Sequence, residues 1–350
     1  MAIKLAIVGF GGVGQSLTQI LQDREEMLRS EYGVEVIIVA VSDLMKGSVY
    51  DSTGLDIDTL FQCLQNQGTV DAYPDQDTVV KGWTSLETIT NSNADVIVEA
   101  TFTDVHTGEP AISHCLTAFK NRKSVITTNK GPVALAYREL ADVAVQNQQF
   151  FGIEGTVMSG TPALRLPLET LSGNEIKEIT GILNGTTNYM LCKMEKGLSY
   201  EEALKNAQNN GYAEADPTND VEGYDARYKA VILANYVMGI SLTPDEVECT
   251  GITGLTREDI TKAGKDEETW RLITRIQRKN EEVTATVKPE RISKSSPLAS
   301  VQGAANAVIY DCDLAGPIML TGAGAGLKET GFSLLIDLIH YRKQQALQKL

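Results

Sequence analysis

Histidine is scarce. Only His106, His114 and His340 occur in 350 residues, which argues against a metal centre built from imidazoles. Cysteine is thin as well: Cys63, Cys115, Cys192, Cys249 and Cys312 are scattered, and no pair has CxxC spacing. Neither a zinc site nor a disulfide framework is indicated. Long apolar runs are missing, and stretches such as 231–240 are far too short to span a bilayer. Positive charge is in deficit. A net charge of −15 repels phosphate backbones, so nucleic acid is not expected as a partner, while acidity by itself says little about a small-molecule substrate. There is no low-complexity tract and no internal repeat. The N-terminus, MAIKLAIVGFGG, has no proper h-region followed by a small-residue cleavage site, so a cytoplasmic protein without a membrane partner is expected. The chain is longer than one typical domain, and two folded units are the natural expectation.

The first half alternates strands and helices. Residues 3–8 are a short apolar run that ends in Gly9-Phe10-Gly11-Gly12-Val13-Gly14, after which Val13, Leu17, Ile20 and Leu21 recur at helical spacing. Gly9, Gly11 and Gly14 satisfy G-x-G-x-x-G between a strand and a helix, the context that a dinucleotide fingerprint needs. Gly9 permits the tight turn, Gly11 lets a pyrophosphate approach the backbone, and Gly14 allows the helix to pack closely. The free N–H groups at the helix start then face the phosphates. A second buried strand, 34–41, ends at Ser42-Asp43. An acid there either accepts the ribose 2′-hydroxyl of NAD or is a simple turn residue, while nearby Lys46 could meet a 2′-phosphate, so NAD(P) is expected with the preference open. Residues 55–67 and 110–120 read as helices, and 94–100 and 124–127 as strands. Thr101 and the turn 128–132, with Lys130, therefore fall at strand carboxyl ends, where ligands sit in a doubly wound parallel sheet.

In the second half, a short strand at 150–153 leads into Glu154-Gly155-Thr156-Val157-Met158-Ser159-Gly160-Thr161, a segment of small residues that suits a close backbone crossing or a cation loop. Residues 175–183 read as a strand. The junction Asn184-Gly185-Thr186-Thr187-Asn188-Tyr189 either holds a small polar ligand or simply caps the next helix. Residues 270–277 and 282–288 look like paired strands separated by 278–281, and 317–321 adds another. Gly322-Ala323-Gly324-Ala325-Gly326 is a second glycine-rich loop, which serves either a cofactor or a crossing point, ahead of a helix over 331–347.

The densest chemistry is in GYAEADPTNDVEGYDARYK, residues 211–229. Five carboxylates crowd together and a lysine follows, ahead of an apolar run that reads as a buried helix. Asp225 and Lys229 stand four apart, so a helix puts them on one face. Alone, the stretch reads rather as a solvated acidic loop capping that helix, with Asp216 and Asp220 as structural acids.

GFGGVG at 9–14, TNKG at 128–131, GILNGTTNY at 181–189, GYAEADPTNDVEGYDARYKAVIL at 211–233 and TGAGAG at 321–326 together resemble homoserine dehydrogenase, in order and spacing, over nearly the whole chain. The resemblance implies NAD(P)-dependent, reversible interconversion of L-aspartate 4-semialdehyde and L-homoserine. It implies Lys229 as the general acid, Asp225 as a group orienting substrate or a lysine-linked water, and Lys130 at the polar end of the reacting group. It also implies Glu214 on the substrate amino group, with Gly185 and Thr186 in the substrate loop. A positioned ammonium suits hydride chemistry, because negative charge builds on the carbonyl oxygen. Gly9 to Gly14, Asp43, Thr101, Lys130 and Gly324 are the cofactor candidates. The family's monovalent cation loop, for Na+ or K+, falls on Glu154, Val157, Ser159 and Thr161. Met158-Ser159, Thr161 and the segment GLKETGFSLLIDL depart from the family's usual residues.

The expected fold is α/β, a Rossmann-type doubly wound parallel sheet over 1–132 completed by a C-terminal helix at about 325–350. A second α+β domain over 133–324 handles substrate, catalysis and dimerisation, and a homodimer of a short form without a C-terminal regulatory domain is expected. Two alternatives stand beside this reading. One is a related semialdehyde or amino-acid dehydrogenase, which would have no need of the 211–229 acids. The other is an inactive NAD(P)-binding regulator, which would not need Lys130, Glu214, Asp225 and Lys229 together.

Overall fold

The hexapeptide IKLAIV makes a central strand, β1 (Ile3–Val8), because both of its faces are covered. Leu5 and Ile7 join a cluster with Leu17, Leu21, Leu334 and Leu338, while Ala6 and Val8 join another with Ile97, Phe119 and Leu140. Apart from Lys4 near its start the strand is apolar, because both sides are buried, which is why the run does not alternate. The computed structural model describes residues 2–279 and 282–347, and the chain divides into two compact units, Met1–Thr156 with Leu327–Leu350, and Val157–Gly326.

The first unit is a seven-stranded sheet in the order β4-β3-β2-β1-β5-β6-β7. The strands are β2 (Val36–Asp43), β3 (Gly47–Asp51), β4 (Val79–Lys81), β5 (Val96–Glu99), β6 (Ser124–Thr127) and β7 (Phe151–Gly152) with β1. β2, β1, β5, β6 and β7 run parallel, and β3 and β4 form an antiparallel edge. The helices between them are α1 (Gly12–Asp23), α2 (Glu25–Tyr32), α3 (Ile57–Gln67), α4 (Ser85–Asn91), α5 (Ala111–Lys120) and α6 (Lys130–Gln146). The expected doubly wound sheet is thus present. Its strand order reverses beside β1, and in such sheets ligands bind at the strand carboxyl ends next to the reversal.

Two glycines are dictated by this packing. Gly9 has φ +93°, and a Cβ there would lie 2.4 Å from the carbonyl carbon of Ala100; a Cβ on Gly14 would lie 2.5 Å from the Gly9 oxygen. The turn 128–132 differs from the expectation, since Asn129 accepts a hydrogen bond from the Gly131 N–H and α6 starts at Lys130. The domain boundary expected at 132 falls inside α6. That helix is required by the first unit, because Leu140 and Ala144 cover the sheet beside Phe119.

The second unit holds α7 (Arg165–Thr170), β8 (Ile176–Ile182), α8 (Gly185–Glu195), α9 (Tyr200–Asn209), α10 (Thr218–Val221), α11 (Tyr224–Ile232), β9 (Glu248–Cys249), α12 (Arg257–Lys265), β10 (Glu268–Lys279), β11 (Glu282–Ser293), β12 (Ala305–Cys312) and β13 (Gly316–Ala323). Its six strands are ordered β13-β12-β8-β10-β11-β9, antiparallel except for β9 against β11. The turn expected at 278–281 includes residues 280 and 281, which lie outside the described residues. β12 has no counterpart among the strands expected from the sequence, although it joins β13 to β8 in the sheet. The final helix, α13 (Leu327–Leu347), belongs to the first unit and packs its Leu334 and Leu338 against Leu17 and Leu21 of α1. Among the described residues no helix is long and apolar enough to cross a membrane.

Candidate active site

Lys229 is buried, and its position follows from helix geometry. Asp225 lies in the first turn of α11 and Lys229 one turn later, so the ammonium meets Asp225 Oδ2 at 2.8 Å. The same ammonium donates to the carbonyl oxygen of Leu183 at 2.6 Å, just past the end of β8. A second donor reaches that carbonyl, Asn306 Nδ2 at 2.8 Å, from β12. The lysine is therefore fixed by a helix-borne carboxylate and a strand-end carbonyl, with a third N–H direction beyond those two bonds. Removing one partner of a buried ion pair costs about 3–5 kcal/mol, because the other charge is left uncompensated.

Asn184 links the neighbouring acids. Its Oδ1 caps α8 by accepting from Thr187 N–H at 2.9 Å, and its Nδ2 donates to Asp220 Oδ1 at 2.6 Å and Asp225 Oδ2 at 3.0 Å. The polar junction at 184–189 is thus a helix cap and a carboxylate anchor at once. Thr186 donates to the Tyr212 carbonyl at 2.5 Å, tying α8 to the start of the acidic stretch. Gly185 is confined, since a Cβ there would lie 2.5 Å from the Ala304 oxygen. Glu214 is exposed, and no bond draws its side chain to this cluster.

Sequence reasoning leaves Asp220 as a structural acid and does not single out Asn184 or Asn306. The signal for Asp220 is available in principle: one short helix, α10, and the Gly223 turn at φ +82° bring it back beside Asp225. Asn306 gives no such signal, because its role depends on a strand pairing with β8. Burial first, and then the charge of Asp225, raise the Asp220 carboxyl above the usual range. Hydrogen bonds from Asn184 and Thr186 and the charge of Lys229 oppose the shift.

In the first unit, the 9–14 turn has the form a dinucleotide requires. A Cβ on Gly11 would meet nothing within 4 Å, so the backbone there is open to a ligand. α1 begins with no side-chain cap and no acid in its first turn, leaving its N–H groups for phosphate oxygens. These residues fit a nicotinamide dinucleotide. Asp43 ends β2, and its Oδ2 accepts from Phe10 N–H at 2.7 Å while Oδ1 accepts from Met45 and Lys46 N–H at 2.9 and 3.0 Å. Lys46 spends its ammonium on the Phe10 carbonyl, at 2.8 Å. Thr101 follows β5 and Lys130 opens α6, both at strand carboxyl ends.

Gly324 belongs to the second unit, and a Cβ there would collide with the Asn306 amide at 2.3 Å, so close packing by itself demands glycine. Glu154 closes the first unit, whereas Val157, Ser159 and Thr161 open the second. Met158 and Ser159 adopt left-handed conformations, with φ +57° and +53°. Among the described residues no cluster of three or more His, Cys, Asp or Glu side chains could hold a metal ion.

Two family models match the chain: homoserine dehydrogenase over residues 162–339, and homoserine dehydrogenase, NAD binding domain, over residues 9–153. The chain is 44% identical over 346 residues to the NAD(+)-dependent homoserine dehydrogenase of Pseudomonas canavaninivorans, covering 96% of this chain and 95% of the relative. It is 41% identical over 339 residues to the homoserine dehydrogenase of Methanocaldococcus jannaschii, covering 97% and 98%. Among solved structures, that of a homoserine dehydrogenase from Thiobacillus denitrificans superposes with a TM-score of 0.85 at 28% identity, covering 99% of this chain and 74% of that one. A hyperthermophilic archaeal homoserine dehydrogenase in complex with NADPH gives 0.83 at 27% identity, covering 98% of both.

The raised carboxyl of Asp220 has a consequence for stability. A group whose folded pKa exceeds its unfolded value near 3.8 contributes stability below that value and loses it as pH rises through the folded pKa. At neutral pH the ionised side chain therefore weakens the fold. Asp220→Asn is expected to raise Tm at pH 7, with the gain over wild type shrinking towards pH 4, and to lower kcat/KM by about tenfold or more. A Tm at pH 7 no higher than wild type would overturn this account of Asp220.

Proposed function

The chain belongs to the homoserine dehydrogenase family, and from that premise we propose that Lys229 exchanges a proton with the oxygen of the reacting carbonyl. As a homoserine dehydrogenase the protein is an NAD(P)-dependent oxidoreductase acting on a CH–OH group. It interconverts L-aspartate 4-semialdehyde and L-homoserine in the biosynthesis of threonine, methionine and isoleucine. The nicotinamide cofactor, when bound, supplies or accepts the hydride.

The observation that carries the lysine assignment is the bond pair on its ammonium, 2.8 Å to Asp225 and 2.6 Å to the Leu183 carbonyl. Both hold Nζ in place without a rotamer search, so its remaining N–H is pre-aimed at a developing oxyanion. In the oxidative direction the same nitrogen takes the hydroxyl proton back. Asp225 orients the ammonium and is itself held by Asn184. Asp220 and Glu214 serve the substrate α-ammonium, whose charge offsets the burial and the repulsion from Asp225 that raise the Asp220 carboxyl. Gly185 and Thr186 line the substrate loop, and Lys130 serves the polar end of the reacting group. Lys229→Ala is expected to lower kcat by about 100-fold or more, as for loss of a general acid. A variant with near wild-type kcat would remove Lys229 from the proton step.

The 9–14 turn, Asp43, Thr101, Lys130 and Gly324 bind the cofactor in this reading, with NAD preferred. A carboxylate at the end of β2 accepts a ribose 2′-hydroxyl and repels a 2′-phosphate, and Lys46, tied to Phe10, does not offset it. Leu44 and Met45 beside it are exposed apolar side chains suited to an adenine face. The kcat/KM for NAD+ is expected to exceed that for NADP+ by about tenfold or more, on homoserine at alkaline pH. The reverse ratio would refute the preference. The 154–161 loop binds Na+ or K+ through carbonyl oxygens, with Glu154, Val157, Ser159 and Thr161 as its ligand positions. In the same assay, indifference to KCl against a tetramethylammonium control would count against that loop.

We also propose a homodimer formed through the second unit's sheet. There Ile292, Ile309 and Met319 remain half-open beside Arg275, which bridges Glu178 and Glu290. Light scattering is expected to give twice the 38.0 kDa of one chain, and a monomeric mass would exclude the dimer. A cytoplasmic location accords with five cysteines that are all free thiols.

A further inference from the structure

β5 ends in Glu99, a carboxylate that the fold buries completely. A charged group without solvent must find its hydrogen bonds in the protein, and those of Glu99 come from both strand ends that face the cofactor crevice. The Thr101 hydroxyl donates to Oε1, joined by the Thr101 N–H at 3.3 Å. Thr127 Oγ1, at the end of β6, lies 3.2 Å from Oε2 and 2.8 Å from the Glu99 carbonyl. His114 Nδ1 stands 3.4 Å from Oε1, and its Nε2 lies 2.8 Å from Ser85 Oγ, so the imidazole backing the carboxylate is held on both sides.

The bonds continue outward. The Asn129 N–H donates to Thr127 Oγ1 at 2.9 Å, and the Asn129 side chain accepts from the Gly131 N–H at 3.0 Å while donating to the Phe102 carbonyl at 3.2 Å. Asn129 thereby caps α6, whose first residue is Lys130. On the other side, the Ala100–Thr101 backbone is the wall against which Gly9 packs, with no room for a Cβ. One carboxylate thus touches the ends of two strands, and through them the glycine turn and the start of the Lys130 helix.

We propose that Glu99 is a positioning residue for the nicotinamide cofactor, fixing Thr101 and the Thr127–Asn129–Lys130 junction in the geometry that receives it. Glu99 itself makes no contact with cofactor or substrate. The role rests on the cofactor reading of Thr101 and Lys130 given above. It differs from a merely structural one in what it moves. Loosening a strand end changes cofactor binding, whereas the substrate cluster of the second unit keeps its own bonds. Glu99→Gln preserves the shape and one acceptor oxygen, while Glu99→Ala removes every bond to the carboxylate and keeps only the backbone carbonyl for Thr127.

The test is a fluorescence titration of the purified full-length protein with NADH, without substrate, alongside steady-state KM values and Tm. Glu99→Ala is expected to raise the Kd for NADH and the KM for NAD+ by about tenfold or more while the homoserine KM moves less than about threefold, and Glu99→Gln is expected to recover most of that loss. Thr127→Val, which removes the hydroxyl that joins Glu99 to Asn129 and leaves the Thr101 bonds to Glu99 in place, is expected to shift cofactor binding in the same direction in a protein that still folds, and so carries the test if Glu99→Ala does not fold. Unchanged NADH binding in folded Glu99→Ala or Thr127→Val, or equal losses in both KM values, would overturn the proposal. Thr101→Ala separates the two layers: if it binds NADH as wild type does, the cofactor reading of Thr101 fails, whatever the Glu99 variants do.

Discussion

A lysine ammonium held between Asp225 and the Leu183 carbonyl is the constraint around which the second unit is arranged. A buried ammonium requires a counter-charge and further acceptors. α11 supplies the carboxylate by its own periodicity, and the end of β8 supplies the carbonyl. Asn306 shares that carbonyl from β12, which fixes the strand pairing as well as the lysine. Asn184 then couples the start of α8 to Asp225 and Asp220. Helix cap, Asp220 and Asp225 become one hydrogen-bonded assembly.

The first unit solves a different problem, that of bringing backbone close to a phosphate. Gly9 and Gly14 are required because carbonyl groups sit where their Cβ atoms would be, and Gly11 leaves open space towards the ligand side. The uncapped start of α1 completes the anion site. Beneath it, Glu99 ties two strand ends with hydrogen bonds rather than with apolar contacts. Such bonds are directional, so they specify the aim of Thr101 and of the Lys130 helix more narrowly than packing does.

Much of this architecture is legible in the order of residues alone. The glycine fingerprint, the alternation of strands and helices and the Asp225–Lys229 spacing are local patterns, and each reflects a period or a turn that a few residues settle among themselves. Other features carry only weak local marks. Asp220 is one acid among five in residues 211–229, and its significance comes from the Gly223 turn that folds it back beside Asp225. Glu99 is merely the polar end of a buried strand until its partners, 15 and 28 residues away in sequence, close on it. β12 escapes a pattern-based assignment because ANAVIYDC carries Asn306 and Asp311 about a short apolar run, and only its pairing with β8 and β13 makes it a strand.

The sequence by itself determined the fold class, the family and the identity of the acid–lysine motif, since these rest on patterns encoded within a few turns of chain. Tertiary structure decided which carboxylates meet the lysine, what each end of Asn184 does and why Gly324 has no side chain. It also made α6 a covering helix of the first sheet rather than part of the second unit. Those outcomes depend on contacts between strands and helices far apart in the chain, and hydrogen bonds over such separations leave no period in the sequence.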